Sequence, residues 1–298
     1  MLVLAGIVFV FLAVFGGYLL EKGNPWVLLQ PAELLIVGGA AMGIILIANR
    51  PAVIRRMLGG FGAIFFPRPP TSAFFLRSLR MLYEIFGYAQ RAGLAAIEND
   101  VEDPDSSRIL SRYPEVLKNQ AAIGFLCDSL RMLVIGATSA RELDHLMDVD
   151  IEVQRRGRHE PVSALSSIAD SLPGLGIVAA VLGVVITMQT IGGAPERVGE
   201  KVAAALVGTF LGILLCYGVV GPVASRLDSL GEGHLQYLQV LRTAIVAFAS
   251  GASPILALEY ARRSIPVECR PSFSEMELTI RREAQIPPVP GFKANAAD

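Results

Sequence analysis

Two apolar runs near the middle of the chain constrain its fold more than any other feature. They cover residues 172–190 and 202–220 and are joined by a short polar link. Each run is long enough to cross a bilayer, since a membrane-spanning helix needs about 20 predominantly apolar residues. Both runs are rich in glycine and alanine, and a proline stands at the end of each away from the link, Pro173 and Pro222. The pattern predicts two adjacent membrane helices that pack closely and can hinge.

Two further apolar runs, 2–20 and 34–48, bring the number of candidate spans to four. The first could be taken for a signal peptide, but it has no basic segment before it and no small-residue cleavage site leading into a soluble domain. We therefore expect it to be retained as a membrane helix. The chain has 298 residues, 53% of them hydrophobic and gathered in blocks, which is typical of a membrane protein.

Basic residues beside the apolar runs indicate the orientation in the membrane. Arg50, Arg55 and Arg56 follow the second run directly, and Arg226 follows the fourth. Because Lys and Arg are enriched in short cytoplasmic segments next to membrane helices, both termini are predicted to be cytoplasmic.

The predicted fold is that of an all-α membrane protein with a large helical cytoplasmic insertion between the second and third of its four transmembrane helices, and a cytoplasmic C-terminal tail. The predicted domains are 1–49 (transmembrane helices 1 and 2), 50–167 (cytoplasmic helical domain), 168–222 (transmembrane helices 3 and 4) and 223–298 (cytoplasmic C-terminal helix and tail).

The insertion shows helical rather than strand periodicity, with apolar residues recurring about every 3.6 positions after residue 74 and again after residue 126. We expect it to be continuous with inward extensions of the second and third membrane helices. The tail is expected to begin as a helix that breaks near Gly231 and Gly233. Residues 285–298 are proline-rich and polar and are expected to be disordered.

The central pair of runs contains no Asp, Glu, Lys, Arg or His between its prolines and its link. Membrane helices that conduct ions usually carry an ionisable group. Thr209 and Tyr217 offer hydroxyls that could bond a neighbouring carbonyl or line a wet path, but neither can carry a proton near neutral pH. If the chain conducts ions with coupling, the titratable group must come from another chain.

One carboxylate, Glu33, lies at the outer end of the second apolar run. We interpret it as an interfacial residue that faces water and favours the positive end of its helix dipole. A functional role for Glu33 is the alternative.

The remaining features exclude several classes of protein. The net charge of −1 gives no bulk attraction to nucleic acid, so no nucleic-acid partner is expected. The three cysteines and three histidines are scattered, with no metal-ligand spacing. The sequence has no phosphate-binding loop and no nucleophile motif, so we expect no enzyme activity, no metal and no cofactor.

The run DSLPGLGIVAAVLGVV, followed by AALVGTFLGILLCYGVVGP, resembles the MotA family of flagellar-motor stator proteins, within the wider MotA/TolQ/ExbB proton channel group. QPAELLIVGGAA, HLMDVDIE and RPSFSEME resemble the same family. The resemblance implies a pentamer, surrounded by membrane lipid in the bacterial inner membrane, around two copies of MotB. In that family MotB supplies a membrane aspartate, and ion flow through the complex turns the ring and drives the rotor protein FliG.

The resemblance also implies roles for particular residues. The family's pore threonine falls on Thr209 and its rotor-facing acid on Glu98, while the position of its basic rotor contact is Gln90, with Arg91 beside it as a possible substitute one helical step away. Sodium-type relatives carry a threonine where this chain has Ala180, which favours protons as the transported ion. The candidate residues for the ion pathway and partner-helix contact are Pro173, Ala180, Thr209, Tyr217 and Pro222, and those facing the rotor are Gln90, Arg91, Glu98 and Asp150.

Two other functions stay open from the sequence. An energiser of outer-membrane transport of the ExbB/TolQ type would share the paired helices, but such proteins usually have three membrane helices. A self-sufficient channel or transporter would need an intramembrane charge, which the central pair lacks. A flagellar stator subunit is the function that the sequence favours.

Overall fold

The computed structural model describes residues 2–65, 70–136, 138–189 and 195–284, apart from the side chains of residues 61, 63 and 281–284. Within these ranges all regular structure is helical. The predicted disorder of 285–298 lies outside the described residues. The α-helices are α1 (Leu2–Leu20), α2 (Pro25–Leu28), α3 (Pro31–Ala48), α4 (Pro51–Phe65), α5 (Ser72–Ala92), α6 (Glu98–Glu102), α7 (Pro114–Leu117), α8 (Gln120–Ile135), α9 (Ala140–Met188), α10 (Pro195–Leu215), α11 (Gly221–Ala249), α12 (Pro254–Ser264) and α13 (Phe273–Ala284).

Four helical stretches are long and apolar enough to cross a membrane, as the apolar runs predict. They are Leu2–Leu20, Pro25–Ala48, Ala140–Met188 and Pro195–Ala249. The last two are much longer than a bilayer requires, since about 20 residues suffice.

The predicted inward extension is present in the third membrane helix and absent from the second. The third membrane helix does continue inward, because α9 runs unbroken from Ala140 to Met188. The expectation for the second is wrong: α3 ends at Ala48, and Asn49 is extended, with φ −122° and ψ 144°. The cause is Pro51, which disfavours helical backbone just before it and starts α4 at a position where its missing N–H costs little.

A π-helical turn, Cys216–Val220, joins α10 to α11. The N–H of Gly221 donates to the carbonyl of Cys216, five residues earlier. Pro222 follows directly, and a proline ring in a regular α-helix would collide with the carbonyl four residues before it. The wider turn gives that ring room without ending the helix.

The expected break near Gly231 and Gly233 is wrong, since α11 runs through both glycines to Ala249. A glycine inside a helix costs only about 1 kcal/mol relative to alanine. Buried side chains before and after the pair, such as Val223 and Leu238, offset that cost.

The chain forms two compact units. The first comprises Met1–Arg68 and Arg155–Glu232, and the second Pro69–Gln154 and Gly233–Asp298. In the first unit, buried residues of α3, α4, α9 and the α10–α11 segment form one apolar core. In that unit α3 packs against α10, as does the short helix α2.

The core of the second unit is built largely on aromatic and aliphatic side chains of α5, α8 and α11. The ring of Phe86 stacks on that of Phe248 with centroids 4.4 Å apart. The fully buried hydroxyl of Tyr237 forms a 3.0 Å hydrogen bond with Ser78. Burial raises the pKa of Tyr237, so this hydroxyl stays neutral and bonded.

An acid-sensitive ion pair lies within α12, in the second unit. Arg262 donates from Nε and Nη2 to the two oxygens of Glu259 at 2.7 and 2.8 Å, and Arg263 donates from Nε at 2.7 Å. The hydrogen bonds from Arg262 are the main cause that lowers the pKa of Glu259 to about 2. Because the unfolded pKa is higher, about 4.3, this stabilisation is fully present above that value and is lost as the pH falls toward 2.

We therefore expect Glu259→Gln to weaken the protection of α12 amides against hydrogen exchange by about 1.5–3 kcal/mol at pH 7, the range for hydrogen bonds to charged groups. The deficit should shrink between pH 4 and pH 2. Glu268→Gln, at an exposed acid outside this ion pair, is the matched control. Equal protection in both variants at pH 7 would show that the pair contributes nothing.

Candidate ion-pathway site

Helices α9 and α10 touch backbone to backbone at three glycines. A Cβ placed on Gly176 would lie 2.7 Å from the carbonyl oxygen of Gly208 and 3.1 Å from the Cα of Thr209. A Cβ on Gly212 would lie 2.5 Å from the carbonyl oxygen of Leu172 and 3.0 Å from the Cα of Gly176. Contacts this short to backbone atoms cannot be relieved by a side-chain rotation, so the glycines let the two helices approach this closely.

Thr209 lies at this crossing. Its Oγ1 donates across to the carbonyl oxygen of Gly176 on α9, in a long hydrogen bond of 3.5 Å. By contrast, the hydroxyl of Thr187 bonds the carbonyl of Gly183 in its own helix at 2.8 Å. The weak bond of Thr209 is the easier of the two to exchange for a bond to water or a partner helix.

The structure places three of the five predicted pathway residues around the crossing. Pro173 is part of α9, three residues before Gly176, and α9 stays α-helical through it. The backbone nitrogen of Ala180 would lie 3.3 Å from a Cβ on Gly208, which puts Ala180 on the α10-facing side of α9. Thr209 is the third.

The other two pathway residues lie further along the chain. Tyr217 is in the π-helical turn, eight residues after Thr209 and so about 12 Å along the helix, and its side chain is 73% exposed. Pro222 is exposed and lies in the first turn of α11. These two residues are available to a neighbouring helix rather than to the α9–α10 crossing.

Glu33 is the site residue that the sequence reasoning misplaced. It was expected to face water, but only 7% of it is exposed. A Cβ on Gly208 would lie 2.6 Å from its Oε2, and a Cβ on Gly183 would lie 3.4 Å from its Oε1. The carboxylate therefore lies against both α9 and α10. One signal in the sequence could have revealed this position. Across residues 2–20, 32–48, 172–190 and 202–220, Glu33 is the sole Asp, Glu, Lys, Arg or His.

The predicted rotor-facing residues are all exposed. Gln90 and Arg91 lie in the last turn of α5, and Glu98 begins α6. Gly93, with φ +90°, ends α5 between them, in a backbone conformation that favours glycine. Gln90 and Arg91 are one helical step apart on α5, and the turn separates both from Glu98 on α6. That Arg91 takes the place of the family's basic rotor contact stays a prediction. Asp150 is exposed on α9 and accepts a 3.3 Å hydrogen bond from Gln154 Nε2.

The described residues contain no cluster of three or more His, Cys, Asp or Glu side chains that could hold a metal ion. The chemistry that the described site offers is thus limited to a hydroxyl, backbone carbonyls and one buried carboxylate.

Comparison with known proteins gives two family matches. Residues 4–93 match the family described as motility protein A N-terminal, and residues 118–239 match the MotA/TolQ/ExbB proton channel family. Motility protein A of Salmonella typhimurium is 34% identical over 281 residues, which cover 94% of this chain and 95% of that protein.

Two solved structures share the fold. MotAB of C. jejuni matches with a TM-score of 0.75 at 20% identity, covering 91% of this chain and 98% of the matched chain. The flagellar MotAB stator complex of Bacillus subtilis matches with a TM-score of 0.71 at 23% identity, covering 89% and 96%.

Proposed function

Because the chain belongs to the motility protein A family, within the MotA/TolQ/ExbB proton channel group, we propose that it is a flagellar-motor stator subunit that couples inward proton flow to rotation. It works together with MotB and exerts torque on the rotor protein FliG. Four candidate spans, rather than three, favour this function over an energiser of outer-membrane transport.

The observation that carries the proposal is the α9–α10 crossing. Two glycine-lined helices meet backbone to backbone, with the Thr209 hydroxyl between them and no charged side chain from residue 171 to 188 or from 202 to 215. A partner helix that carries a charged side chain can pack closely against such a surface, because the small residues leave room for that side chain.

MotB is the partner that fits, because its membrane aspartate would supply the missing mid-membrane acid. Both matched structures are MotAB complexes, which supports a complex of the same kind here. In this arrangement five copies of the chain surround two MotB helices. Protonation of the aspartate removes its charge and changes its contacts with α9 and α10, and the ring moves from one contact to the next.

Ala180 supports protons as the transported ion. A threonine there would add a hydroxyl ligand near the crossing, and a dehydrated sodium ion needs several oxygen ligands. Alanine offers none from its side chain, whereas a proton needs a single basic group.

The proposed orientation places both termini in the cytoplasm and the chain in the bacterial inner membrane. Arg55 and Arg56 of α4 are exposed beside the end of α3, where the positive-inside rule expects basic residues. Arg56 also pairs with Glu160 of α9 at 3.7 Å, within the first unit.

Co-purification tests this proposal. Tagged full-length chain, extracted from its native membrane, should bring with it a protein with one membrane span and an acidic residue inside that span. Recovery of the chain with no single-span partner, under conditions that keep a control membrane complex intact, would contradict the proposal.

The rotor contact is tested at Glu98, which is exposed at the start of α6. Glu98→Lys is expected to lower stator recruitment to the motor by at least about tenfold, because opposing like charges at an interface cost several kcal/mol. Recruitment is measured by fluorescence of tagged stators at the motor, together with swimming speed. Glu268→Lys makes the same charge change at another exposed acid of the second unit and should have no effect. Unchanged recruitment and speed in Glu98→Lys would make Glu98 an ordinary solvated charge.

A further inference from the structure

The carboxylate of Glu33 is buried among candidate membrane helices, where a charged group is costly. The residue is 7% exposed, and its Oε2 has no hydrogen-bond partner among the described residues. An unpartnered carboxylate is costly to bury, and more so inside a membrane. A side chain of this kind is rarely kept for packing alone, because an apolar residue of similar size would fill the same space at lower cost.

The place that Glu33 occupies is formed by small residues of two other helices. Its Oε2 lies 2.6 Å from the position that a Cβ of Gly208 on α10 would take, and its Oε1 lies 3.4 Å from the position that a Cβ of Gly183 on α9 would take. Any larger residue at Gly208 would displace the carboxylate. The chain thus brings its one membrane carboxylate into contact with both helices of the proposed ion pathway, one residue from Thr209.

Glu33 also lies deeper than its position in α3 suggests. It is in the first turn of its own helix. However, Gly208 comes six residues after the apolar run of α10 begins at Val202, and Gly183 comes five residues before α9 ends at Met188. At 1.5 Å per residue these offsets are about 9 and 8 Å. The carboxylate therefore sits well inside a hydrocarbon layer about 30 Å thick, on the side of the α9–α10 link.

Protonation is the step that suits a carboxylate in this position. The atoms nearest to the two glycine positions also include the Cβ atoms of Ala179 and Ala205 and the backbone nitrogen of Ala180, and none of these carries a charge that could pair with a carboxylate. A proton needs nothing beyond the carboxylate, and binding it removes the charge.

We propose that Glu33 is a proton-binding site of this chain, in which each subunit holds a transported proton on the outer side of the α9–α10 crossing before it reaches the partner's carboxylate. The step is the protonation of a carboxylate to a carboxylic acid and its reversal. The site rests on the proposed function as a proton-driven stator, and it adds a second titratable group to the one that MotB supplies.

The experiment compares Glu33→Gln and Glu33→Asp in the complex of the full chain with its single-span partner, reconstituted in liposomes that contain a pH-sensitive dye. Glutamine keeps the size of the side chain and cannot carry a proton, so proton flux should fall by about tenfold or more at unchanged complex yield. Aspartate keeps the titratable group and should retain more flux than glutamine. Glu200→Gln, at an exposed carboxylate on the same helix as Gly208, is the control and should conduct as the unmodified complex does.

Infrared spectroscopy of the purified chain gives an independent readout. The chain carries 27 Asp and Glu residues, so the readout is a difference between spectra. Subtracting the spectrum of Glu33→Gln from that of the unmodified chain should leave one carboxylic-acid C=O absorption that titrates with pH, at a frequency different from the one that Glu200→Gln removes. If the unmodified complex passes no protons, the proposed function fails, and the infrared titration alone decides whether Glu33 binds a proton. Full proton flux through an intact Glu33→Gln complex would overturn the site, as would an infrared titration that Glu33→Gln leaves unchanged.

Discussion

Replacing Gly212 by alanine is expected to abolish or nearly abolish motility while leaving the chain in the membrane. The added Cβ would lie 2.5 Å from the Leu172 carbonyl oxygen and 3.0 Å from the Gly176 Cα, both of them backbone atoms. Relief requires the two helices to separate, and overpacking of this kind typically costs about 1–3 kcal/mol. The proposed proton pathway runs along this crossing. Separation of the two helices should therefore abolish both swimming and proton flux.

Gly199→Ala is the matched control for this substitution. Gly199 is also on α10, but a Cβ there would have nothing within 4 Å. The control should swim normally, and both variants should reach the membrane in the amount of the unmodified chain. Normal swimming in Gly212→Ala would mean that the close approach of α9 and α10 is not needed for function.

Replacing Pro173 by alanine is the second substitution with a large expected effect. Proline has no N–H, so within α9 the carbonyl of Ala169 lacks its usual helical donor at this point, where the apolar run begins. Alanine restores the donor and stiffens the helix, and we expect swimming to be abolished without any change in membrane insertion. Swimming in soft agar, with immunodetection of the chain in membranes, measures both quantities.

The same helix supplies the control, since Pro161 also lies inside α9 but outside its apolar run. Pro161→Ala should keep most motility if the effect belongs to the hinge beside the crossing rather than to any proline in a long helix. A Pro173→Ala strain that swims normally would count decisively against a mechanical role for Pro173.

The long apolar runs could be read from the sequence because length and hydropathy act locally. The four candidate spans and the inward continuation of α9 follow from them. Helix ends were harder to predict, because they depend on competing costs of similar size. Pro51 ends α3 through its effect on the preceding backbone, whereas Gly231 and Gly233 fail to end α11 because burial on both sides outweighs their cost.

The position of Glu33 could not be predicted from its own helix. Counting from Pro31, it lies in the first turn of α3, which suggests an interfacial carboxylate. Its depth is set by where α9 and α10 begin and end relative to α3, and that offset is a tertiary property. In the same way, the turn at Gly93 that separates Gln90 and Arg91 from Glu98 depends on a local backbone conformation that the resemblance to the family does not reveal.

The central claim is that this chain shapes a proton pathway but lacks the mid-membrane acid that completes it. The most direct test is proton flux into liposomes that contain the purified chain alone, compared with liposomes that contain its complex with the single-span partner. We expect the chain alone to conduct no more than protein-free liposomes, and the complex to conduct only while the partner keeps its membrane carboxylate. Proton flux through the chain alone, at the rate of the complex, would contradict the account.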